Sequence, residues 1–191
     1  LSRITPRSAV SSSGTFSIGS GSVLDYASGT HTFTGVTSSG AGALKVSGTG
    51  SLAFAGASNT TDLQLTGGTL TVNAGATVSA TNLAQSGGSL NGTGQMSLTG
   101  AGSTWSGGVF GGNLRVASGA TLTLNGGTRL WQGGAALTNE GTVAWSAGTI
   151  QVDAGTSTIT NVAGALFDIQ GNLVLTDPVD NSGVNTHTLT F

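Results

Sequence analysis

The sequence predicts an all-β fold, a parallel β-helix, on three observations. Apolar–any–apolar triplets recur along the chain. Gly-containing turns separate them at similar intervals. Charged residues make up 6 % of 191 residues, against ~25 % in an ordinary globular domain. Hydrophobic residues are 37 % and the net charge is -2, whereas disordered chains combine low hydrophobicity with high net charge. Gly contributes 34 residues, and Ser and Thr together outnumber it. That composition disfavours helix, because Gly costs about 1 kcal/mol per helical position relative to Ala, and Ser, Thr and Val are mediocre helix formers.

The strands follow in chain order. The triplets are Leu44-Lys45-Val46, Leu52-Ala53-Phe54, Leu63-Gln64-Leu65, Leu70-Thr71-Val72 and Leu114-Arg115-Val116. Leu122-Thr123-Leu124, Val143-Ala144-Trp145, Ile150-Gln151-Val152 and Leu173-Val174-Leu175 complete the series. Alternation puts the outer pair of each on one face and the middle residue on the other. Each triplet therefore reads as a short strand with one dry face.

The turns repeat as well. Leu70–Ala76 matches Leu114–Ala120, with Ile150–Thr156 as a third copy. The first two lie 44 residues apart, which reads as two units of ~22 on the solenoid pattern. A second motif places Asn139, Asn161 and Asn181 at intervals of 22 and 20. Gly in such turns permits positive φ at a corner. A period of 20–26 residues holding two or three short strands is a solenoid signature, because one coil cannot bury its own apolar face and stacked coils can. Roughly seven coils between residue 14 and the C-terminus give a rod of about 35 Å at ~4.8 Å per coil. A β-sandwich is the alternative. It calls for antiparallel hairpins, and the hairpin dipeptides Asn91-Gly92 and Asn125-Gly126 do not recur regularly.

Stacking explains the scarce charge. Equivalent side chains of successive coils sit above one another, so like charges would repel every ~4.8 Å. Ser, Thr and Asn can form hydrogen-bonded ladders instead, and Asn139, Asn161 and Asn181 form the leading candidate ladder.

Residues 41–72 run Ala-Gly-Ala-Leu-Lys-Val-Ser-Gly-Thr-Gly-Ser-Leu-Ala-Phe and end in Thr-Gly-Gly-Thr-Leu-Thr-Val. They resemble the autotransporter-associated β-strand repeat. Residues 109–175, through Asn-Glu-Gly-Thr-Val (139–143) and Gly-Asn-Leu-Val-Leu (171–175), are similar to the β-helical repeats of secreted bacterial haemagglutinin-type adhesins. The resemblance implies an exported rod at the bacterial surface, serving as stalk, adhesin or matrix fibre, with no catalytic residues.

The chemistry-bearing residues are few. Glu140, Asp153, Asp168, Asp177 and Asp180 gather in the C-terminal third. A polysaccharide lyase or hydrolase would cluster carboxylates with Lys, Arg or calcium, yet no Lys or Arg follows Arg129. They read as solvated turn residues. His31 and His187 stand 156 residues apart, too far along a rod to share a metal or a triad. The chain contains no Gly-x-Ser-x-Gly elbow. Thr-x-Thr runs begin at Thr30, Thr69, Thr121, Thr156 and Thr186. A regular array of such pairs could bind ice, but the irregular spacing and the strand propensity of Thr explain them more simply. Trp105, Trp131 and Trp145 read as core or end packing ahead of a sugar-stacking platform. No catalytic, cofactor-binding or metal residue is assigned.

Partners are narrowed by composition. Five basic residues are too few to form a nucleic-acid surface or to hold an anionic membrane. No apolar run approaches the ~20 residues of a membrane helix. Zero Cys removes disulfides, zinc–thiolate sites and a Cys nucleophile. The chain divides into an N-terminal arm or partial cap (1–13), a solenoid (14–183) and a C-terminal edge strand (184–191). Each solenoid edge is a template for another strand. The expected function is a non-catalytic, secreted or cell-surface structural solenoid: a fibre, stalk or adhesin segment that associates with itself end to end. A carbohydrate-binding or carbohydrate-cleaving β-helix, with surface glycans as partners, is the alternative.

Overall fold

The computed structural model describes residues 3–4, 9–132, 134–153, 155–176 and 186–190. Among them, 21 strands pair and no helix forms. All the pairings are parallel and none is a hairpin. The chain is a β-solenoid of about eight turns, with three strands to the turn. A sandwich is thereby excluded.

Successive turns offer strands to three sheets in rotation. The first sheet carries Val23–Tyr26, Ala43–Val46, Thr121–Leu124, Thr142–Trp145 and Leu166–Ile169. The second carries Ser51–Phe54, Thr69–Val72 and Thr149–Val152. The third carries Ala136–Asn139, Thr156–Asn161 and Thr186–Thr190. Longer strands such as Thr30–Ser39 and Ser89–Leu98 bend at a corner and serve two sheets. Paired residues of neighbouring turns lie 18 to 25 apart, save in the last turn of the third sheet. The tight 18-residue turns, from Val78 to Met96 and from Met96 to Leu114, admit one more turn than the roughly seven expected.

The core is a set of columns. In the first sheet Leu44, Leu63 and Leu83 stack, as do Leu122, Val143 and Phe167. In the second, Leu52, Leu70, Leu90, Phe110, Trp131 and Val152 form one line. Val78, Met96, Leu114, Leu137 and Ile159 do so in the third. Nearly all are buried. Each fully buried side chain contributes about 1.5–3 kcal/mol relative to exposure, and register keeps every contribution on the inside. All but one of the sequence triplets bury their outer pair as expected. Leu173-Val174-Leu175 does not: Leu175 is 40 % exposed, because it stands in the last turn of the second sheet.

The 44-residue repeat also needs correcting. Leu70–Val72 lies in the second sheet and Leu114–Val116 in the third, so the matched segments are not equivalent positions. The true per-turn mark is a Gly-Gly pair at 67–68, 87–88 and 107–108, between the first and second sheets. There the amides of Thr69, Ser89, Val109 and Leu130 donate to the carbonyls of Gly50, Gly68, Gly88 and Gly108 at 2.8–3.1 Å. Gly68 has φ 67, and a Cβ on it would lie 2.1 Å from the Gly50 oxygen. The corner closes because backbone rests directly on backbone.

Candidate functional site

The residues singled out by chemistry do not converge. Glu140 follows the third-sheet strand at one corner and makes a two-pronged ion pair with Arg115. Arg115 Nε donates to Oε1 at 2.8 Å and Nη2 donates to Oε2. The hydrogen bond from Arg115 holds the Glu140 carboxyl below its ordinary value, and the same bond raises the Arg115 guanidinium. Asp153 sits at a different corner, after the second sheet, and accepts from Gln132 Nε2 at 2.7 Å. Asp168 is on the first sheet and accepts from Gln170 Nε2 at 2.7 Å. Asp177 and Asp180 lie outside the described residues. The carboxylates that are described stand on separate faces, each with a polar partner.

His31 is fully buried in the second-sheet column next to Leu52. Its Nε2 is 2.9 Å from the Ser28 carbonyl, its ring is 4.5 Å from Tyr26, and Nδ1 has no partner. His187 pairs by register with Ser157 near the other end; its side chain lies outside the described residues. Among the described residues no group of three or more His, Asp or Glu is placed to hold a metal.

The three tryptophans are core residues. Trp105, Trp131 and Trp145 are 4 %, 2 % and 6 % exposed. Trp105 and Trp131 pack with Phe110 at 5.2–5.9 Å between ring centres. Each indole N–H is satisfied locally, by the carbonyls of Gly107, Ala135 and Gly148 at 3.0–3.2 Å. Buried rings present no face to a sugar. The Thr-x-Thr runs fall on all three sheets. Only Thr156/Thr158/Thr160 stack directly on another run, Thr186/Thr188/Thr190.

The Asn ladder exists where it is described. Asn139 is fully buried, and its Nδ2 donates to Asn161 Oδ1 at 2.7 Å and to the Leu166 carbonyl at 2.8 Å. Its Oδ1 accepts the Gly141 N–H at 3.1 Å. Asn181 lies outside the described residues.

The residue that sequence reasoning missed is Arg129. It is fully buried in the second sheet, paired with Ile150. No carboxylate faces it among the hydrogen bonds it makes. Nη1 donates to the Asn125 carbonyl at 2.5 Å and, more weakly, to the Trp105 carbonyl at 3.5 Å; Nη2 donates to the Ala147 carbonyl at 2.8 Å. These three carbonyls belong to one corner in three successive turns. Trp105 lies 5.8 Å beneath the guanidinium. Burial pushes its pKa below the usual arginine value, though the group stays a cation. In register Arg129 stands one turn beyond Gly108, two positions before Trp131, which takes the slot of Leu70.

One small cavity of about 10 Å³ lies near the C-terminal end among Trp131, Val152, Ser157, Ile159 and Leu175. That is no more than a single water requires. The ends differ from the shaft. The large hydrophobics exposed among the described residues are Val10 at one end and Val162, Leu166, Ile169, Val174 and Leu175 at the other. No protein-family model matches the chain, and neither a curated protein nor a solved structure shows significant similarity to it.

Proposed function

We propose that this chain is a non-catalytic structural rod, a fibre, stalk or adhesin segment of a secreted or cell-surface protein. The observation that carries the reading is the set of core columns that runs from one end to the other, broken at a few levels by buried polar side chains and wrapped in outer rows rich in Thr, Ser and Asn. That arrangement commits the inside of every turn to its neighbours and leaves the outside uniform. The described candidate acids, Glu140, Asp153 and Asp168, each bonded to its own partner on a different face, support the same reading. So does the resemblance of residues 41–72 to the autotransporter-associated β-strand repeat. The buried tryptophans speak against the carbohydrate alternative.

Small-angle scattering and a glycan-binding screen on the purified chain test this. A rigid rod is expected, with a stack height on the order of 40 Å for about eight turns at ~4.8 Å each, and no saturable glycan ligand. A saturable glycan, or release of product from a polysaccharide, overturns the reading.

A further inference from the structure

We infer that the C-terminal edge of one chain docks on the N-terminal edge of a second copy, so that all three sheets continue in parallel across the junction. The inference rests on the rod reading and names the partner of the rod's ends.

The exposed hydrophobics point to the ends. Ile169 and Leu175 occupy inner columns, next to Trp145 and Ile150, and are 54 % and 40 % exposed. Their exposure is the cut face of the core itself. Val10 occupies the inner column next to His31 at the opposite end and is 39 % exposed. The outer rows change character there too. Leu166 stands where the previous turn has Thr142, and Val174 where it has Thr149. The turns just before carry Thr121, Thr142 and Thr149 on these rows, and the final turn carries Leu166 and Val174.

Phase and direction fit a second copy in the same orientation. Six of the 21 strands serve two sheets, so each sheet holds nine strands among the described residues. Among the described residues the order runs from Arg3–Ile4 in the first sheet to Thr186–Thr190 in the third. The step left at one edge therefore matches the step at the other. Parallel strands have two different edges, so the contact is head to tail and does not close on itself.

Charge agrees. Arg3 lies in the strand at one end of the first sheet, and Asp168 lies in the strand at the other end of the same sheet. Continuing the first-sheet register puts the backbone of Arg3–Ile4 opposite residues 166–167, two positions from Asp168.

The test uses edge-blocking variants of the full chain. Val10→Lys blocks one edge, and Ile169→Lys blocks the other, with Leu175→Lys as a second variant of that edge. Circular dichroism first checks that each folds. Sedimentation of the unmodified chain is expected to show mass rising with concentration beyond a dimer. Each variant alone is expected to stay monomeric, and Val10→Lys mixed with Ile169→Lys is expected to give a 1:1 dimer and nothing larger. An unmodified chain that stays monomeric into the millimolar range overturns the inference, as does a plateau at a symmetric dimer or folded variants that still polymerise. A rigid monomeric rod without a glycan ligand would sink the docking alone; a saturable glycan ligand would sink the rod reading whether or not chains assemble.

Discussion

Replacing Arg129 with Met keeps the side chain's bulk and removes its charge and donors. Two of its hydrogen bonds are strong, to the carbonyls of Asn125 at 2.5 Å and Ala147 at 2.8 Å. Bonds from a charged donor contribute about 1.5–3 kcal/mol each, so roughly 3–6 kcal/mol of favourable interaction disappears. Against that, a buried cation without a counter-ion carries a desolvation penalty of several kcal/mol, which the substitution relieves. Deleting the donors leaves corner carbonyls unpaired at about 1–3 kcal/mol each, and this tips the balance. The expected net loss is about 2–4 kcal/mol. Lys is expected to recover little, since an ammonium on a single stem cannot span carbonyls of separate turns as the guanidinium fork does. The assay is urea unfolding paired with hydrogen exchange, because a repeat rod opens in segments. Protection should fall at the amides of Asn125, Leu130 and Ala147, which bond across this corner, and persist at Asn73 and Thr69. A Met variant as stable as the parent, or more so, would refute the reasoning. It would show that cation burial outweighs the corner bonds.

Three further outcomes are expected. Asn139→Ala should lose about 2–3 kcal/mol in urea melts, since it strands the Leu166 carbonyl and the Gly141 N–H; Asn139→Asp should lose more, because it faces two acceptors with a carboxylate. The Glu140 carboxyl should titrate by NMR below its ordinary 4.5 and return toward it in Arg115→Ala. Its folded-state pKa is depressed, so the stability from this pair is present above the ordinary carboxylate range and lost as pH falls through the depressed value. Tyr26, the only tyrosine, is buried and its pKa is raised by desolvation above 10.0. The neutral form is favoured in the fold, so stability holds below pH 10 and is lost as pH rises through the raised value; ultraviolet absorbance should show a single phenol ionising above 10.

The strands were legible because alternation is a local property. Leu44-Lys45-Val46 needs no knowledge of its neighbours to declare a dry face. Which sheet it joins was not legible, because all three sides of the coil ask for the same apolar–any–apolar pattern. The match between Leu70–Ala76 and Leu114–Ala120 is therefore a likeness between strand-and-corner units on different sides. The Asn139–Asn161 contact could be read from spacing, since both residues belong to the third sheet and one turn separates them. Arg129 was not read as buried because its partners are carbonyls, which every residue carries and no sequence pattern marks.

The bare Gly-Gly corner has a further consequence for how the chain finds its alignment. Backbone stacked on backbone carries no label, and leucines above leucines fit almost as well one turn out of step. A slipped arrangement would satisfy most of the core. The interior residues that do not repeat are what tell the turns apart. His31 stands between Val10 and the line of leucines that begins at Leu52, and Gln85 stands between Leu65 and Trp105 with its Nε2 on the Val109 carbonyl at 2.9 Å. Ser103 takes the place of a leucine and accepts the Leu83 N–H at 3.1 Å. Gln85 and Ser103 have these partners in a neighbouring turn, at one level only, so a slip strands a buried polar group. These residues serve as addresses in an otherwise repetitive stack.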